Sequence, residues 1–558
     1  MVKQPQNLWN RFQNLHPSSQ KFLIQWVSLF CFCCLILISC TPHQPSNQSS
    51  SSSSNNGRIT IGTTLKPRTL DPADAYELMS GNILYNLGDR LYDYELGTNK
   101  LVPRLATALP TVSSDGLTYT IPIREGVTFH DGTAFNAAAM EFSIKRFIQN
   151  AGSPSSLLAD AVDTVQATGD YELTIKLKKP FSAFPSLLAF SGITAVSPQF
   201  YEIGEGKFKP NEFVGTGPYK LKSFGIDVIR LDAFENYWGE KPANTGIDIQ
   251  RFSSSSNLFN SFRSGSIDVA YLSLNPDQIS SLQKGAKKGD WQEISANGNT
   301  INYLLLNVKS EPLNRKEVRQ ALAALINRAV INERVLQNQG EKLYSLIPTT
   351  FTDYQPIFNL KYGDGNIEKA KQLLTQAGYT PENPATVELW YASNSSNKGF
   401  LGLTLKALAE RDLGGLLDLQ LNSVESTTAF KYLEEGIYPT FVLDWYADFL
   451  DADNYIQPFL ECSKGSVETG CEKGSSQYQG SFYYSDRMNK LIAQERQEQD
   501  PQTRKLIFDE IQKLIAEDVP YIPLWQDKTF VFAKNGIENI RLQLTQQLPL
   551  WTIKNSNS

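Results

Sequence analysis

Histidine is almost missing from this 558-residue chain, which has three in all, and only His130 lies beyond the first sixty residues. Zinc or copper sites built on several imidazoles are thereby excluded from the body, and Ser/His/Asp catalysis has one candidate base. His130 sits in the turn Phe129-His130-Asp131-Gly132, where a structural imidazole is commoner than a catalytic one. No G-x-S-x-G elbow and no P-loop pattern occurs. Cysteine is equally sparse. Four of six (Cys31, Cys33, Cys34 and Cys40) fall in the first forty residues, which leaves Cys462 and Cys471 for the body. In an exported chain two such cysteines suggest one disulfide, and closing so short a loop contributes on the order of 2 to 3 kcal/mol. A metal site would need partners the body lacks. Excess positive charge is absent as well: 52 Lys and Arg stand against 58 Asp and Glu, so nothing marks a nucleic-acid surface.

What is present begins with a leader. Lys3, Arg11 and Lys21 carry positive charge with no acid among them, and Phe22 to Ile38 is apolar apart from Gln25 and Ser28. This is the layout of an export signal, and an uncleaved membrane anchor is the alternative. Leu37-Ile38-Ser39-Cys40 resembles a bacterial lipobox, which implies that residues 1–39 are removed and that Cys40 carries lipid. The Ser- and Asn-rich stretch within 40–57 then reads as a tether, because it is too polar to bury a core. The folded body is expected from Arg58 onward, outside the cytoplasm. With 41% apolar residues it has material for a large core and more than one domain.

Short strands alternate with helices along the body. Strands are expected at 58–62, 118–123, 171–177 and 301–308. Helices are expected at 137–149, entered after Asn136, and at 315–337, 367–377 and 500–517. The mixture predicts an α/β or α+β architecture.

Seven segments in order carry a resemblance that spans nearly the whole body. They are Pro103-Arg104-Leu105-Ala106 with Ser114-Asp115-Gly116-Leu117-Thr118-Tyr119, Ile123 to Thr133, Gly215-Thr216-Gly217-Pro218-Tyr219, Asn236-Tyr237-Trp238-Gly239, Val318-Arg319-Gln320-Ala321-Leu322, Lys369 to Leu374 with Ala377-Gly378-Tyr379, and Pro520-Tyr521-Ile522-Pro523-Leu524. Together they resemble bacterial extracellular solute-binding protein family 5, which includes the peptide-binding proteins of ABC importers. The resemblance implies a mixed α/β (α+β), periplasmic-binding-protein-like fold of two lobes, with an extra subdomain inserted in the first. The implied divisions are lobe I at 58–90 and 213–305, the inserted subdomain at 91–212, lobe II at 306–525, and a return segment of lobe I at 526–558. It also implies capture of a peptide or other small solute between the lobes, delivery to an ABC permease and ATPase complex, a monomer held at the membrane by its N-terminal lipid, and no enzymatic activity, cofactor, metal or nucleic acid.

The stretch Asp444 to Tyr455 resembles the family segment in which an aspartate pairs with the ligand's α-amino group, and that position is Asp448. Trp445, Tyr446, Trp390 and Tyr391 are candidates to line the pocket. Asp451, Asp453 and Asn454 fall in a later, more structural part. One departure concerns the ligand's other end: dipeptide-binding relatives place a carboxylate-binding arginine after the strand equivalent to Val387–Tyr391, and here residues 392–398 read Ala-Ser-Asn-Ser-Ser-Asn-Lys. Longer peptides and non-peptide solutes, including oligosaccharides and metal chelates, therefore stay open, as do a ligand sensor and an extracellular hydrolase.

Overall fold

The computed structural model describes residues 57–556, so the leader and Cys40 lie outside the described residues. The strand β1 (Arg58–Thr63) opens a mixed sheet of eleven strands. Around it, β1 pairs in parallel with β2 (Gly246–Arg251) and β3 (Val269–Tyr271). Two long strands, β4 (Gln292–Leu306) and β5 (Tyr521–Ala533), run antiparallel through the middle of that sheet. Beyond them lie β6 (Thr440–Trp445), β7 (Ala385–Ala392) and β8 (Leu417–Val424), with β7 and β8 parallel along their whole length. Parallel strands need crossovers, and α1 (Ser396–Asp412) supplies the one between β7 and β8.

Burial divides the body. One hydrophobic core joins β1 to β3 with Val531, Ala533 and the segment from Leu542 to Ile553. A second is built from Leu91 to Ala195 and includes Phe449. In it a four-stranded antiparallel sheet packs against α2 (Ala137–Gln149), which starts where Asn136 accepts a bond from the Ala139 N–H. The largest core gathers Ile301 to Leu306, the helices between residues 316 and 516, and Tyr521 to Trp525. Leu306 ends β4 at the point where Asn307 turns to Pro439, so the two long strands are the elements that pass from one core to another.

Most expected elements occur close to their predicted bounds. The expected helix at 315–337 is instead two helices, Lys316–Leu325 and Arg328–Arg334. Asn327 breaks the run: its backbone is extended, and its side chain caps the second helix by accepting from the Val330 N–H. Helix periodicity continues across the break, so hydrophobic spacing alone could not reveal it.

Candidate functional site

The strand β6 ends at Trp445, and the chain that follows turns back on itself through Asp448 to a 3-10 turn at Ala452–Tyr455. Asn454 organises this turn. Its side-chain oxygen accepts from the Asp448 backbone N–H at 3.1 Å and from the Trp445 indole at 3.2 Å. Asp451 caps the 3-10 turn and forms a two-pronged ion pair with Arg504, at 2.7 and 2.8 Å. Arg504 also holds Glu495 at 2.8 Å. Two planar hydrogen bonds to one carboxylate fix both partners in direction as well as distance. The acids after Asp448 thus build the turn and tie it to the helix Pro501–Asp518.

Asp448 faces a cavity of about 240 Å³ whose walls include Tyr76, Gly81, Phe190, Trp445, Tyr446 and Gln547. The Tyr76 hydroxyl donates to Asp448 at 2.8 Å. Burial is the largest influence on the Asp448 carboxyl and raises its pKa to about 6, against the lowering effect of the bonds from Tyr76 and Asn454. Desolvation with no cation beside it leaves a carboxylate that a ligand ammonium would stabilise. Tyr446 donates to the Thr545 carbonyl, so its ring is fixed in the wall.

Trp390 and Tyr391 do not line this cavity. The Trp390 indole donates to Glu388 at 2.8 Å, and its ring packs on Tyr438. Both side chains pack against the largest core. Alternation along β7 sends neighbouring side chains to opposite faces, and sequence gave no means to tell which face meets solute.

A second, larger cavity of about 640 Å³ is lined in part by Phe441, Leu443 and Asp444 of β6. Asp444, Lys398, Asn394, Asn302, Asp527 and Gln546 contribute polar groups to it. Lys398 forms an ion pair with Asp444, and the Asp527 carboxylate accepts from the Asn302 amide and the Trp525 indole, both at 2.9 Å. Burial, then the nearby Asp444, raises the Asp527 pKa to about 6. Asp444 opens the stretch singled out in the sequence, and Asn394 and Lys398 lie in the segment in which the expected arginine is missing, whereas Asn302, Asp527 and Gln546 were not among the sequence candidates.

The remaining candidates have structural surroundings. Cys462 and Cys471 are bonded, with Cα atoms 5.7 Å apart, across the short hairpin of Lys464–Ser466 and Gly470–Lys473. His130 is half-buried between Phe213 and Phe234, with its Nε2 3.0 Å from the Gly217 carbonyl, and desolvation lowers its pKa to about 4. A neutral imidazole in that setting serves packing. Among the described residues no group of three or more His, Cys, Asp or Glu is placed to hold a metal.

Comparison with known proteins agrees with this architecture. Glutathione-binding protein GsiB of Salmonella typhi is 27% identical over 469 residues, which is 82% of this chain and 87% of that protein. The structure of HbpA2 from Haemophilus parasuis superimposes with a TM-score of 0.76 at 21% identity, covering 89% of this chain and 99% of the other. DppA from Helicobacter pylori, in complex with the peptide STSA, gives a TM-score of 0.71 at 23% identity over 90% and 98% of the two chains. The fold is accordingly the mixed α/β fold of periplasmic binding proteins. The model of bacterial extracellular solute-binding proteins, family 5 Middle, matches residues 100–466, and the chain belongs to that family.

Proposed function

We propose that this protein captures peptides outside the cytoplasm and hands them to an ABC permease and its ATPases, without transforming them. The observation that carries the peptide reading is Asp448: a desolvated carboxylate in a cavity walled by Tyr76, Phe190 and Tyr446, with the Tyr76 hydroxyl donating to it but no cation beside it among the described residues. An α-ammonium supplies the missing charge, and a charge-assisted bond inside a closed cleft is a strong anchor. Trp445 and Tyr446 are ligand-contacting residues in this reading, and Trp390 and Tyr391 are not.

Three large cores support a division into lobe I, inserted subdomain and lobe II, with β4 and β5 as the crossovers on which the lobes would close. Ligand binds the closed arrangement better than the open one, so capture needs no catalytic group. The leader, removal of residues 1–39 and a lipid on Cys40 belong to the same proposal, with the Ser- and Asn-rich tether leaving the monomer free to reach its permease. The relatives widen the choice of solute: one is named for glutathione, and a structure from Campylobacter jejuni holds Ni(L-His). Native mass spectrometry of protein purified from its own host tests the class directly. A co-purified peptide supports the reading, and a co-purified sugar or chelate overturns the peptide part while leaving solute binding in place.

A further inference from the structure

Asp448 and Phe449 are adjacent in sequence, yet their side chains belong to different bodies of the fold. Asp448 faces the smaller cavity, whereas Phe449 is 5% exposed and sits in the core built from Leu91 to Ala195. Its ring meets Phe181 edge-on, with centroids 6.0 Å apart. Its sequence neighbours Ala447, Leu450 and Ala452 pack into the largest core instead. Among the described residues, Phe449 is the one buried member of the second core that comes from outside residues 91–195. Polar contacts ring this seat. The Ser182 N–H donates to the Arg496 carbonyl at 2.8 Å, and its hydroxyl donates to the Glu495 carbonyl at 3.0 Å. The Leu450 N–H donates to the Tyr94 hydroxyl at 2.9 Å, which in turn donates to the Ser186 carbonyl at 3.1 Å. In the proposed division, Tyr94, Ser182 and Ser186 belong to the inserted subdomain, and Leu450, Glu495 and Arg496 belong to lobe II. Hydrogen bonds released on opening are remade with water and resist little, whereas withdrawing a buried ring exposes apolar surface and empties its seat.

We propose that Phe449 is the latch of the closed form: its ring, seated against Phe181, holds lobe II to the inserted subdomain beside the ligand-binding Asp448. This rests on the solute-binding reading above and adds what sets the balance between open and closed forms. The smaller cavity takes Tyr76 and Phe190 from one side and Trp445, Tyr446 and Asp448 from the other, so its wall is complete only while the latch is seated. Ammonium contact and closure are thereby made by consecutive residues of one turn. A ligand that favours the closed form then draws on a bias already present without it.

Hydrogen exchange of the ligand-free mature protein, read by mass spectrometry, tests the latch at the Ser182 amide, whose partner lies across the junction. Phe449→Ala should exchange that amide at least about tenfold faster than wild type, while the amides of α2 and of the helix Pro501–Asp518 keep their wild-type rates. Phe449→Leu, which keeps apolar bulk without the ring, should fall between the two. An unchanged Ser182 rate in Phe449→Ala overturns the latch. A rise shared by α2 overturns it too, because that is unfolding of the subdomain rather than opening. If Phe449→Ala does not fold, Phe449→Leu decides by the same criterion. No ligand takes part, so failure of the peptide reading would leave this result standing, and failure of the latch would leave the role of Asp448 standing.

Discussion

At the scale of single residues, Asp448 and Arg504 show how two charged groups a few residues apart in space do different work. Asp448 is desolvated without a counter-ion, whereas Arg504 is held between Asp451 and Glu495. Asp448→Asn should therefore raise the melting temperature or leave it no lower at neutral pH, and weaken binding of a free-amine peptide by about thirtyfold or more, since loss of one partner from an enclosed charge pair costs about 2 to 5 kcal/mol. N-acetylation should penalise wild type and affect the variant much less, and calorimetry over the four combinations measures that coupling. Arg504→Met should do the reverse and destabilise the fold by about 3 to 5 kcal/mol, because it strands two buried carboxylates. Denaturant titration checks it.

The Asp448 carboxyl also sets a pH dependence. Its pKa is raised by burial, so the folded protein holds the proton more tightly than the unfolded chain. The group opposes folding above its ordinary carboxylate range, and the opposition grows until the folded pKa near 6 is passed. Ammonium binding needs the ionised form, so affinity should fall as pH drops through about 6 in wild type, and Asp448→Asn should flatten that fall. Titration calorimetry between pH 5 and 8 would show it.

At the scale of elements, the hairpin closed by Cys462 and Cys471 contributes no lining residue to either cavity. Replacing both cysteines by serine should lower stability by about 2 to 3 kcal/mol and leave ligand affinity within twofold. Denaturant melts paired with calorimetry separate the two quantities.

Elements also show which features were legible in the sequence. Alternation, apolar runs and helix spacing placed β1, α2 and the second half of β4, because their side-chain periods are set by the backbone itself, whereas the first half of β4 and all of β5 were not among the expected strands. Asp448 was reachable through the Trp-Tyr-Ala-Asp stretch. Trp390 and Tyr391 were not separable from pocket residues, since facing depends on the packing of α1 and β6 against β7. The break at Asn327 was hidden because its apolar neighbours continue the helical stripe.

At the scale of the whole molecule, the account joins three packed cores through two long strands and places the desolvated Asp448 in a cavity at the end of β6. A peptide amine would engage it, and closure of the lobes would exclude water from that contact. The most direct measurement of that claim is calorimetry of one peptide with its amine free or acetylated, against the wild-type protein. The account predicts that acetylation weakens binding by at least tenfold. Equal affinity of the two forms would contradict it.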